Sequence, residues 1–106
     1  MDNLYKMLQE IRLRPEIYLG KPSLERLRAF VDGYKHHNNY DVNASDCLCG
    51  FNQYVADKYE IHTDHDWSSI IRFMNLENEK AAFDDFFVLL DEFMRSSAGN
   101  TEGKTL

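Results

Sequence analysis

The sequence predicts an all-α fold: a compact single-domain bundle of about five helices with a disordered C-terminal tail. In five segments the apolar residues recur at spacings of three and four, which places them on one face of a helix. The period-two alternation typical of strands is absent, apart from a weaker strand alternative at Trp67–Met74. At 106 residues, with 13% aromatic residues, the chain can bury a core without disulfides or metals.

The first predicted helix spans Asn3–Leu13, and its apolar face consists of Leu4, Leu8 and Ile11. Pro15 disfavours helical geometry at Arg14 and should end this helix. The connector from Arg14 to Pro22 holds both prolines of the chain, yet it also carries three adjacent apolar residues. We therefore expect a fixed loop that packs on the core through Ile17, Tyr18 and Leu19.

The second predicted helix runs from Leu24 to about His36, with Ser23 as its N-cap. Its apolar stripe consists of Leu24, Leu27, Val31 and Tyr34. A polar, Asn-rich loop follows, and a third helix is predicted from about Asp46 to Glu60. The face of this third helix is formed by Leu48, Phe51, Val55 and Tyr59.

A fourth helix is predicted over Trp67–Met74, capped by Asp66, and its inward residues are Trp67, Ile70, Ile71 and Met74. The last helix, from Glu79 to about Arg95, has the widest apolar stripe: Ala82, Phe83, Phe86, Phe87, Leu90 and Phe93. The residues after Arg95 are small and polar. The sequence thus predicts one helical domain over residues 1–95 and a flexible tail over residues 96–106.

Charge is distributed unevenly along the chain. Residues 1–35 contain seven Lys/Arg against five Asp/Glu, whereas residues 36–106 contain five against thirteen. An acidic body of this kind argues against nucleic acid as a partner, because phosphate binding needs a net basic face. It favours a basic protein as the partner.

The compartment expected from the sequence is the cytoplasm. Cys47 and Cys49, the two cysteines, are separated by one residue and poorly placed for a disulfide. No apolar run approaches the roughly 20 residues that span a bilayer. The first residues lack the basic-then-apolar pattern of a signal peptide.

Two clusters of potential metal ligands occur, one at His62, Asp64, His65 and Asp66 and one at His36, His37, Asp46, Cys47 and Cys49. Neither has the spacing of a structural zinc site, which uses cysteine pairs two to four residues apart. An exposed polar loop and a helix start with one buried thiol explain them more simply. We therefore predict no metal, no cofactor and no catalytic residue.

Several stretches mark a resemblance to a known family. They are Arg-Pro-x-x-Tyr-Leu-Gly from Arg14, the apolar spacing of Ser23–Tyr34, Phe51-x-x-x-Val55, Trp67-x-x-Ile70-Ile71 and the aromatic run of Phe83–Phe93. Together they resemble a family of small bacterial proteins found among the immunity proteins of interbacterial toxin systems, including contact-dependent growth inhibition. The matching positions are scaffold positions and imply no binding residues.

This resemblance implies an immunity protein, not an enzyme, that binds and neutralises a cognate toxin domain. Many such toxins are nucleases with basic clefts, which an acidic surface would cover. The hypothetical contact residues are Asp57, Tyr59, Glu60, His62, Asp64 and Asp66, and a second candidate surface consists of Asp84, Asp85, Asp91 and Glu92. The alternatives are a small metal-dependent enzyme using His62, Asp64 and His65, or a general protein-interaction module.

Overall fold

A computed structural model describes residues 3–37, 47–61 and 65–103. These residues form only helices and the turns between them, which confirms the all-α prediction. Six helices follow in chain order: α1 (Asn3–Leu13), α2 (Pro15–Leu19), α3 (Leu24–His37), α4 (Phe51–Lys58), α5 (Trp67–Met74) and α6 (Glu79–Gly103).

The core lies along α6, which packs against α3, α4 and α5. Phe51 of α4 is fully buried, and its ring centroid lies 5.7 Å from that of Trp67 in α5 and 5.6 Å from that of Phe86 in α6. Trp67 and Phe86 are themselves 4.9 Å apart. Edge-to-face and tilted ring pairs of this kind add about 0.5–1.5 kcal/mol each beyond the area they bury. The three helices are therefore joined at one aromatic cluster.

Three predicted helix boundaries are confirmed by their local chemistry. α1 ends at Leu13, before Pro15. The Ser23 hydroxyl accepts the Arg26 backbone N–H at 3.3 Å, at the start of α3. The Asp66 carboxylate accepts the Ser69 backbone N–H at 3.0 Å, as an N-cap of α5 should.

The connector after α1 differs from the predicted loop, because Pro15–Leu19 forms a short helix. Proline suits the first turn of a helix, where its missing N–H has no partner to lose. Leu19 is buried, and Tyr18 packs edge-on against Phe30. The expectation for Ile17 is wrong, since its side chain is 70% exposed.

Other boundaries also differ from the prediction. α4 begins at Phe51, because a turn over residues 47–50 precedes it and Gly50 has a φ of 84°. Met74 is not inward, with 42% of its surface exposed. α6 continues past Arg95 to Gly103. The division into a domain of residues 1–95 and a flexible tail stays a prediction.

Candidate functional site

Two tyrosines, one in α4 and one at its C-terminal end, donate hydrogen bonds to two carboxylates of α6. The Tyr59 hydroxyl donates to Asp85 Oδ2 at 2.6 Å, and the Tyr54 hydroxyl donates to Glu92 Oε1 at 3.2 Å. Asp85 and Glu92 are seven residues apart, close to two helical turns, so both lie on the same side of α6. We call Tyr54, Lys58, Tyr59, Asp85 and Glu92 the α4–α6 acidic surface.

The two carboxylates of this surface are compensated differently. Glu92 Oε1 lies 2.9 Å from Lys58 Nζ, and this hydrogen bond lowers the pKa of Glu92 and raises that of Lys58. Asp85 Oδ2 accepts instead from two neutral groups, the Tyr59 hydroxyl and Asn75 Nδ2 at 3.1 Å. Within the described part of the chain, no ion pair joins Asp85 to a cation. Its negative charge is thus held in position by neutral donors without a direct ion pair, and Lys58, whose pKa Asp85 helps to raise, is the cation that interacts with it at longer range.

Tyr59 acts here as a fixed donor. Burial raises the pKa of its phenol, and the hydrogen bond to Asp85 raises it further. Both causes favour the neutral hydroxyl, so Tyr59 keeps its proton throughout the physiological pH range. The arrangement orients the carboxylate rather than activating the phenol as a base or nucleophile.

Three predicted contact residues lie at the exposed edges of α4 and α6. Asp57 is exposed and accepts from Gln53 Nε2 at 2.8 Å. Glu60 is exposed just after α4. Asp84 is exposed next to Asp85 and pairs with Lys80 at 2.7 Å. Exposed pairs of this type are worth only about 0–1 kcal/mol, so a partner can replace them at small cost.

Asp66 has a structural role that the contact hypothesis did not assign. Its carboxylate accepts from the Ser69 backbone and from the Ser68 hydroxyl, and it pairs with Arg28 of α3. Burial raises the pKa of Asp66, but these hydrogen bonds and the Arg28 charge outweigh burial and lower it overall. The Arg28 guanidinium also lies 5.3 Å from the Trp67 ring centroid, where a cation–π contact is favourable. Asp66 therefore links α3 to α5.

The second candidate surface is divided by the fold. Asp91 pairs with Arg12 of α1 at 3.0 Å, and the Arg12 guanidinium lies 5.2 Å from the Phe87 ring centroid. Glu92 points instead toward α4, where Tyr54 and Lys58 contact it. Asp91 and Glu92 thus serve different helix contacts, and only Glu92 joins Asp85.

The proposed metal ligands are only partly described. His62 and Asp64 lie outside the described residues, as does Asp46. Among the residues that are described, no group of three or more His, Cys, Asp or Glu side chains is placed to hold a metal ion. Cys47 is buried and Cys49 is exposed, and neither is part of a disulfide. The metal-dependent alternative stays a prediction without structural support.

Sequence reasoning missed Tyr54, Lys58 and Asn75, which hold the carboxylates of the α4–α6 acidic surface. Tyr54 lies 38 residues from Glu92 along the chain. The i,i+3 and i,i+4 spacing that reveals local pairs gives no signal for such contacts. Only the packing of α4 and of the end of α5 on α6 brings these side chains together.

The chain matches no family model, no curated protein and no solved structure in comparisons with known proteins. Among the helices described, none has both the length and the apolar character needed to cross a bilayer.

Proposed function

We propose that this protein is an immunity protein that binds a cognate toxin domain, a basic nuclease, and covers its active-site cleft with the α4–α6 acidic surface. The observation that supports this most strongly is the Asp85 carboxylate, held by Tyr59 and Asn75. Because both donors are neutral, the charge remains available to a lysine or arginine of the partner. Because both are fixed, little ordering entropy is lost on binding.

The surroundings of Asp85 suit a basic cleft. Asp57, Glu60 and Asp84 are exposed on the same two helical segments, and Asp85 itself is half-buried. A half-buried charge pair is less screened by salt than an exposed one. Close charge pairs at protein interfaces couple by about 1.5–7 kcal/mol. Asp85 is therefore the residue at which loss of charge should weaken binding most.

The test begins with the gene immediately upstream: we expect it to encode a toxin domain, which is then coexpressed with this protein. Wild-type protein should rescue growth and copurify with the toxin. Asp85→Asn keeps an oxygen to accept from Tyr59 and Asn75 but removes the charge, and it should raise Kd by roughly tenfold or more.

The matched control is Glu16→Gln on α2, an exposed position at which the same unit of charge is lost. It should change Kd by less than about twofold, because long-range effects of exposed charges are screened. The proposal fails if wild-type protein neither rescues cells nor copurifies with the toxin. Equal Kd values for Asp85→Asn and Glu16→Gln would remove the assigned surface while leaving the function intact.

A further inference from the structure

A concave feature lies at the end of α5, where Ile61, two residues after Tyr59, also contributes to it. It is a cavity of about 430 Å³ lined by Ile61, His65, Ser69, Ile70, Phe73 and Glu77. Its volume falls within the range of ligand pockets, about 300–1,000 Å³. The lining is mainly apolar, with a few polar groups at the sides. A cavity with this lining favours an apolar group over a charged one.

The apolar surface continues outside the cavity. Phe73 is 67% exposed and Leu76 is 89% exposed, and Met74 between them is also exposed. By contrast, Ile70 and Ile71, one turn earlier in α5, are buried. Large apolar residues exposed together, unlike single ones, mark interaction surfaces in soluble proteins. Phe73 both lines the cavity and is exposed outside it, and Met74 and Leu76 are its exposed neighbours in the chain; we call the cavity together with these three residues the groove.

The backbone at the border of the groove is held in an uncommon conformation. Glu60, Leu76 and Glu77 have φ values of 55°, 54° and 62°, and they are the non-glycine residues with positive φ in the described part of the chain. Each costs roughly 1–2 kcal/mol relative to right-handed backbone. Strain of this kind persists at binding sites because the surrounding structure fixes it. Here it presents Leu76 and Glu77 at the border of the groove.

The charge around the groove is negative. Glu77 lines it, and Glu60 precedes Ile61 in the chain. Arg72 lies 3.2 Å from Glu77 and 3.0 Å from Glu79, and 4.0 Å from a third carboxylate, that of Glu25. One guanidinium thus faces three carboxylates, which leaves an excess of negative charge. A lysine or arginine beside the groove would be attracted to these carboxylates.

We propose that this groove binds a segment of a partner protein in which an apolar anchor side chain is flanked by lysine or arginine. The anchor fills the cavity between Ile61, Ile70 and Phe73, and the basic flank faces Glu77 and Glu60. The identification of the partner as the toxin domain rests on the proposed function. The chemistry of the bound segment is inferred from the groove alone. The groove then contributes a buried anchor next to the charge contact at Asp85.

The first experiment is a titration of ¹⁵N-labelled protein with three blocked tetrapeptides, followed by NMR. The probes are Lys-Leu-Phe-Lys, Glu-Leu-Phe-Glu and Lys-Ser-Ser-Lys, each acetylated and amidated. Lys-Leu-Phe-Lys should give saturable shifts at the amides of Ile70, Phe73 and Glu77. The acidic peptide should bind at least about fivefold more weakly, since it loses two charge contacts worth up to about 1 kcal/mol each and replaces attraction with repulsion. The serine peptide should give no saturable shift.

Two variants and one control test the location. Phe73→Ser should weaken Lys-Leu-Phe-Lys binding by about tenfold, since a largely exposed side chain contributes little to folding but much to the anchor contact. Glu77→Gln should weaken it about threefold while leaving the apolar contact in place. Ile17→Ser, at a position 70% exposed on α2, should have no effect.

Several results would overturn the inference. Scattered shifts, equal affinity for the acidic and basic peptides, or unchanged binding in both variants would show that the groove is not the site. A concentration-dependent dimer in analytical ultracentrifugation that Phe73→Ser abolishes would identify a second copy as the occupant instead. Toxin rescue without peptide binding would refute the groove alone. Peptide binding without toxin rescue would refute the toxin as partner.

Discussion

Glu79, the first residue of α6, should contribute more to stability than any exposed carboxylate of the chain. Its Oε1 accepts from the Ser23 hydroxyl at 3.1 Å and from the Glu25 backbone N–H at 2.9 Å, both at the start of α3. Its Oε2 accepts from Arg72 Nε of α5 at 3.0 Å. One carboxylate thus satisfies a free amide at the N-terminus of α3 and joins three helices.

The size of the effect follows from these contacts. Hydrogen bonds to a charged group contribute about 1.5–3 kcal/mol each where both partners are desolvated. Ser23 is buried, whereas the Glu79 side chain is 27% exposed and water replaces part of what is lost. We expect Glu79→Ala to lower the free energy of unfolding by about 2 kcal/mol. Glu79→Gln, which keeps an acceptor oxygen, should lower it by about 1 kcal/mol.

Urea unfolding followed by circular dichroism measures this directly, and the midpoint should fall without a change in slope. The matched control is Asp84→Ala in the same helix, where both members of the ion pair with Lys80 are more than half exposed. It should cost less than about 0.5 kcal/mol. If Glu79→Ala cost no more than Asp84→Ala, the assignment of Glu79 as the cap of α3 would be wrong.

Other substitutions and pH changes have outcomes that the structure determines. Gly20 has a φ of 85°, and a Cβ there would lie 2.7 Å from Arg26 Nη1, so Gly20→Ala should lower stability by about 1–2 kcal/mol. Gly33→Ala, inside α3 with open space around it, should instead raise stability by about 0.5–1 kcal/mol, and thermal unfolding compares the two. Burial raises the pKa of Asp66, but its hydrogen bonds and the neighbouring arginine lower it below 3.8 overall, so its contribution is present above that value and is lost as pH falls through the folded pKa. Acid unfolding should therefore be less steep in Asp66→Asn, and an unchanged slope would contradict this reasoning. Burial and its carboxylate partner raise the pKa of Tyr59 above 10.0, so stability should fall as pH rises above that value, and Tyr59→Phe should reduce this fall.

The helices were predictable because the spacing of the apolar residues within each one indicates which face is buried. The apolar positions of α1 recur every three or four residues, and all three are fully buried. Ser23 and Asp66 were recognisable as caps, since a side-chain oxygen just before an apolar stripe is a local signal. The prediction that Met74 faces inward was wrong, because the apolar stripe of α5 continues into a turn that none of the other described helices covers. Periodicity shows which face is apolar but not where packing ends.

The site was less predictable because its contacts join distant segments. Asp85 was predicted from the sequence as part of an acidic candidate surface. Its hydrogen bonds with Tyr59 and Asn75 were not predicted, because these partners come from two other elements. Glu79 was predicted only as the first residue of the last helix, whereas its carboxylate also caps α3 by accepting from the backbone N–H of Glu25, 54 residues earlier in the chain. Long-range pairs of this kind follow from how the helices pack, which no single segment encodes.

Several described carboxylates of residues 36–106 pair with cations within the fold, and this narrows where a basic partner can bind. Two arginines of residues 1–35 pair with carboxylates of residues 36–106, and three further cations pair with carboxylates inside residues 36–106. The pairs are Arg12–Asp91, Arg28–Asp66, Lys58–Glu92, Arg72–Glu79 and Lys80–Asp84. Asp85 is held by two neutral donors, Tyr59 and Asn75, and has no ion pair among the described residues. Steering of a basic partner should therefore originate at Asp85 and the exposed carboxylates near it, not from the whole body. If so, Asp85→Asn should slow association at low salt more than Asp91→Asn does, even though each substitution removes one charge.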